Sequence, residues 1–91
     1  MRTANVPTKI QGYIYYAMMN RQYEEKHISR YCLKAIDDVC RDPIDRKMLL
    51  EYVSTENSSE NVSLKYHTCK RRLHILYKAY VEKVYRYMCS G

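Results

Sequence analysis

Very few positions in this chain can stop a helix. Two glycines and two prolines occur in 91 residues, and elsewhere apolar side chains recur three and four residues apart. Glycine and proline are the residues that a helix interior tolerates least, so this sequence predicts an all-α protein. Its length allows one domain, near the small end of what folds alone. A small helical domain of four to five helices follows. The core must be modest, and a partner chain or ligand is expected to add stability.

Punctuation along the chain gives three regions. Residues 1–6 read as a flexible arm, 7–41 as N-terminal helices and 42–88 as a helix-turn-helix. Pro7 fits a first helical turn, where its missing N–H costs no hydrogen bond. Ile10, Tyr13, Ile14, Ala17 and Met18 then share one face. The stripe falters over 20–26 and resumes as Ile28, Tyr31, Cys32, Ala35, Ile36 and Val39. Two helices, or one bent near Asn20, are expected. Arg41-Asp42-Pro43 is a stop and restart. Asp42 can cap the next helix, Pro43 suits its first position and Asp45 its first turn. That helix carries Ile44, Met48, Leu49, Tyr52 and Val53.

Residues 54–61 are all polar. They form either a plain loop or a turn into one short helix ending near Val62. The last helix is expected to start near Lys65 or Tyr66 and to reach about Met88, a span of roughly 35 Å. Cys69, Leu73, Leu76, Tyr80, Val84 and Tyr87 form its apolar stripe, widened by Tyr77, Val81 and Met88. This is longer than a small core needs, so its distal half should pack on the N-terminal helices or on a second copy.

All of the excess charge lies in the last third. Residues 61–91 hold seven basic side chains and one acid, Glu82, whereas residues 1–60 hold nine of each. The net +6 is therefore confined to one helical segment. A basic helix on a neutral body suits a polyanion, of which nucleic acid is the commonest. The plainer reading is a solvated basic face. Phenylalanine and tryptophan are absent and eleven tyrosines replace them. Each phenol brings a large ring with a hydroxyl to satisfy, which places some of them at the rim of the core.

Other chemistries find little support. No apolar run is long enough to span a bilayer, and no secretory core follows Arg2. A cytoplasmic location is expected. Cys32, Cys40, Cys69 and Cys89 then read as free thiols, mostly small hydrophobes on helix stripes. Their spacing fits no zinc module, and His67, Cys69 and His74 do not share a helix face, so no metal is expected. Asp37-Asp38 and Glu24-Glu25 form no acid–base pair. No nucleophile motif or phosphate-binding glycine loop occurs, so neither enzyme activity nor a cofactor is expected.

Residues 44–81 hold the functional arrangement. A helix is followed by a polar turn, a short segment with Val62, a tight connection at Leu64 and a helix opening with Tyr66-His67-Thr68-Cys69-Lys70-Arg71-Arg72-Leu73. This is the layout of a helix-turn-helix whose last helix enters a DNA major groove. Cys69, Leu73 and Leu76 would face inward. Tyr66, His67, Lys70 and Arg71 would face out. Arg71 suits guanine, since a guanidinium bonds O6 and N7 together. Lys65, Arg72 and Lys78 suit phosphates.

From Asp42 to Val84 the chain resembles region 4 of sigma-70-type factors. It is closer still to the C-terminal part of phage late-gene transcriptional regulators of the RinA and ArpU type. The likeness is carried by Arg46-Lys47-Met48-Leu49-Leu50-Glu51-Tyr52, by the polar turn and short helix over 57–62, and by Leu64 through Leu73. It extends to an upstream helix over 12–39. The resemblance implies a phage or prophage origin, a bacterial host cytoplasm and binding to promoter-region double-stranded DNA. That family usually has serine where this chain has Lys65. A lysine opening the recognition helix lacks a cap and sits at the wrong end of the helix dipole, a conflict that a bound phosphate would relieve.

Two function classes follow. One is a DNA-binding regulator of transcription. The other is a small phage interaction protein that binds host RNA polymerase, or another host protein, without reading DNA sequence. A homodimer is expected, because one small module has limited DNA affinity.

Overall fold

Asp42 acts as the sequence predicts. Its Oδ1 accepts a hydrogen bond from the Ile44 N–H at 2.8 Å, Pro43 takes the first helical position and Asp45 lies in the first turn. The computed structural model describes residues 6–18, 26–55 and 57–90. It is all-α, with five helices: α1 Thr8–Ala17, α2 Lys26–Val39, α3 Pro43–Ser54, α4 Ser59–Lys65 and α5 Lys70–Ser90. Pro7 stands one residue ahead of α1, as its N-cap. The expected bend near Asn20 lies outside the described residues, as do residues 1–5 of the expected arm. Val6, the last residue of that arm, is buried, and its carbonyl accepts from Gln11 Nε2 at 2.8 Å.

The polar stretch after α3 is divided by its own hydroxyls. Thr55 Oγ1 and the Thr55 N–H both donate to the Glu51 carbonyl, at 2.7 and 3.1 Å, and close α3. Ser58 Oγ then accepts from the Asn61 N–H at 3.1 Å and opens α4. Such side-chain bonds satisfy helix-end groups that have no partner within the helix. Glu60 in the first turn and Lys65 in the last match the helix dipole. Thus α4 is a full short helix that ends at Lys65 and not near Val62. It shows no apolar stripe because it buries little more than Val62 and Ser63.

The start of the last helix is corrected by the same fact. Lys65 ends α4, Tyr66 is its C-cap, and α5 begins only at Lys70. Lys65 therefore sits at the favourable, negative end of a helix dipole, and the conflict expected for it does not arise.

The long α5 rod organises the core. Its 21 residues rise about 31 Å, close to the 35 Å long axis of the molecule. It packs against each of the other four helices. Leu73, Tyr77, Tyr80, Val81 and Val84 form its buried face. They meet Ile14 and Met18 near α1, Ala35 and Ile36 of α2, Leu49 and Val53 of α3, and Val62 of α4 within one cluster. The distal half is covered by α2 within the same chain. Tyr31 and Tyr87 have ring centroids 6.1 Å apart, the Lys34 ammonium lies 4.8 Å from the Tyr87 centroid, and the Tyr87 hydroxyl donates to Asp38.

Tyrosines replace the missing phenylalanines as ring-on-ring joints. Tyr15 of α1, Tyr52 of α3 and Tyr77 of α5 meet edge to face, with centroids 5.4–6.5 Å apart. Burial pushes the Tyr77 and Tyr52 phenols above their ordinary value. The cysteines divide evenly. Cys32 and Cys40 are buried, whereas Cys69 and Cys89 are exposed, so Cys69 does not face inward as its stripe position suggests. It precedes α5 and escapes the helical register. No helix among the described residues is long and apolar enough to cross a membrane.

Leu73 is fully buried where α5 meets the other helices. Leu73→Ala is expected to cost roughly 2–5 kcal/mol, measured as a lower urea midpoint. Burial also pushes the Cys40 thiol up to about 11. In the folded protein a disulfide reagent should react rapidly with Cys69 and Cys89 and reach Cys32 and Cys40 only on unfolding. Fast reaction of all four would contradict the burial.

Candidate nucleic-acid interface

The predicted DNA-facing residues lie on the end of α4, on the turn over 66–69 and on the first turns of α5. Backbone bonds fix the turn. The His67 N–H donates to the Leu64 carbonyl at 3.1 Å, and the Thr68 N–H to the Ser63 carbonyl at 2.9 Å. This is the paired closure of a Schellman end, which needs a left-handed residue just past the helix. That residue is His67, with φ of 54°. Glycine usually holds such a position because a Cβ there is strained. His67 is thus a turn residue, exposed but not on α5.

Two carboxylates of α3 fix the geometry around this turn. Glu51 accepts from Lys65 Nζ at 2.7 Å, from the Tyr66 hydroxyl at 3.1 Å and from Asn57 Nδ2 at 3.4 Å. The Lys65 bond is the main reason that the Glu51 carboxyl lies below its ordinary value, with Tyr66 adding to it against the effect of burial. Asp45, almost buried, takes Arg72 through two bonds, Nε–Oδ1 at 3.1 Å and Nη2–Oδ2 at 2.6 Å. The planar guanidinium fork matches the carboxylate and sets the angle between the starts of α3 and α5.

The predicted residues therefore fall into two groups. Lys65, Tyr66 and Arg72 are held by internal carboxylates. Lys70, Arg71 and Lys78 are exposed, with no ion-pair partner among the described residues. Lys70 and Arg71 occupy the first turn of α5, which contains no acid. They sit at the positive end of the helix dipole, where cations are disfavoured. Burial and then Lys70 push the His74 imidazole below its ordinary value, which disfavours a charge on it.

Sequence reasoning missed the roles of Asp45 and Glu51. Asp45 fits its first-turn position equally well without Arg72, which lies 27 residues away. The separated pair has no periodic signature. Ile75 was also missed: it is 60% exposed, between Arg71 and Lys78.

No cluster of three or more metal-binding side chains occurs among the described residues. His67→Gly is expected to raise stability by about 1 kcal/mol through relief of the left-handed backbone, read as a higher urea midpoint. Glu51→Gln should lower the melting temperature at pH 7. A depressed carboxyl stabilises the fold fully above its ordinary value of 4.5 and loses that contribution as pH falls through the folded value. The gap between the two melting curves should then narrow at pH 3. A constant gap would assign Glu51 a role other than its charge. Comparison of the chain with protein-family models, with curated proteins and with solved structures gives no match.

Proposed function

We propose that the protein is a DNA-binding regulator of transcription whose α4, turn and α5 act as a helix-turn-helix, with the first turns of α5 in a major groove. The single observation that supports this most is the pair Lys70 and Arg71. They are exposed, they repel the dipole of their own helix, and no acid within the described residues relieves them. A local conflict of this kind is expected where a partner resolves it, and a phosphate backbone would do so. The four-residue connection between α4 and α5 suits a helix-turn-helix. The likeness of residues 42–84 to late-gene regulators of the RinA and ArpU type adds phage origin, promoter DNA and a bacterial host cytoplasm to the same reading.

In this reading Arg71 reads a guanine, while Lys70 and Lys78 hold phosphates. Lys65 and Arg72 support the site from behind, through Glu51 and Asp45. The small set of free cations gives one copy modest affinity, which favours a homodimer on two half-sites. The second reading, contact with host RNA polymerase or another protein, draws on exposed Tyr13 and Tyr16 of α1.

Salt dependence separates the two. With three charge contacts per copy, the log–log slope of affinity against salt should be about −2 to −3 per copy, near −0.9 for each contact. A tyrosine-mediated protein contact should be much flatter. Arg71→Ala should relax base preference at one position by roughly ten- to a hundredfold, and Lys70→Ala should weaken all sequences alike. The thiols give an independent footprint. Cys69 adjoins Lys70, and Cys89 lies about 30 Å further along α5. Bound DNA should slow maleimide reaction at Cys69 and leave Cys89 unchanged. An unaltered gel shift in both variants, with no protection of Cys69, would overturn the proposal.

A further inference from the structure

Ile75 is a large aliphatic side chain, 60% exposed in the midst of cations. At 100° per residue it lies diametrically opposite the buried face of α5, formed by Leu73, Tyr77, Tyr80, Val81 and Val84. Packing among the described residues therefore leaves most of it in solvent. Its neighbours on the outward face are Arg71, four residues before, and Lys78, three residues after, both exposed. The next acid on that face is Glu82, about 10 Å beyond Ile75 along the axis. The surroundings thus form a short cationic strip with an apolar centre. A helix presenting such a strip matches a major groove, where phosphates flank base edges and the thymine C5 methyl is the one apolar group.

We infer that Ile75 is a specificity-determining residue that packs on a thymine methyl. This inference rests on the DNA-binding reading. Ile75 lies about 6 Å along the axis from Arg71, and bases on one strand lie about 3.4 Å apart. The thymine is therefore expected one or two base pairs from the guanine read by Arg71. An isoleucine, unlike a hydrogen-bonding side chain, senses only the methyl group.

The test begins with selection of bound duplexes from a random pool by the full chain. Each thymine of the selected site is then replaced singly by deoxyuridine, which removes the methyl and keeps every hydrogen-bonding group. One replacement, next to the Arg71-dependent guanine, should weaken wild-type binding about fourfold, the effect of one buried methyl. Ile75→Ala should bind thymine and deoxyuridine alike at that position and keep the other preferences. Circular dichroism should show the variant folded, since the side chain is largely exposed and opposite the buried face of α5. If the wild-type protein selects a motif and every deoxyuridine duplex binds as well as the parent, the Ile75 assignment fails and the DNA reading stands. If no sequence is enriched, base readout fails for both. If Ile75→Ala converts a dimer to a monomer in sedimentation, the residue is a subunit contact and the inference is overturned.

Discussion

The burial of one face of α5 is the interaction on which the rest of the molecule depends. Every other helix packs against this rod. At 21 residues it is the longest of the five, and α4 contributes little more than Val62 and Ser63. Removal of apolar surface from water is proportional to the area covered, so the helix that covers most area fixes the arrangement. The opposite face of α5 is thereby also fixed. Whatever it presents is held on a rigid element and not on a mobile loop.

Charge at the end of α4 and along that rod is partitioned by two acids. Asp45 and Glu51 stand on α3, behind the turn, and draw Arg72 and Lys65 into the framework. Lys70, Arg71 and Lys78 are left to solvent. A uniformly basic stretch in the sequence thus becomes a supporting layer and an outward layer. The carboxylates do this at modest energetic cost, because both cations remain substantially in water.

The helices themselves were largely legible in the sequence. Asp42-Pro43 announced α3, and the spacing of Leu73, Tyr77, Tyr80 and Val84 announced α5, because capping and periodicity are local properties. The boundary between α4 and α5 was not. A left-handed turn normally announces itself by glycine, and here histidine occupies the site. The expected boundary therefore fell too early, near Leu64, and Lys65 was assigned to the start of the last helix and not to the end of α4. The pairing of Asp45 with Arg72 was hidden for another reason. It joins residues 27 apart and depends on how helices lie across each other, which no local pattern encodes. The exposed cations of the candidate site were visible as charge, but which were already paired was not.

The tyrosine joint between α1, α3 and α5 has a consequence for the chemical range of the fold. Phenylalanine in those places would be indifferent to alkali. A phenol raised above its ordinary value of 10.0 in the folded state, as Tyr52 and Tyr77 are, leaves the fold intact below that value. Above it the unfolded chain sheds protons that the folded chain must retain, so the balance tilts toward unfolding as alkalinity rises. The substitution of phenols for benzenes has therefore given this core an alkaline ceiling.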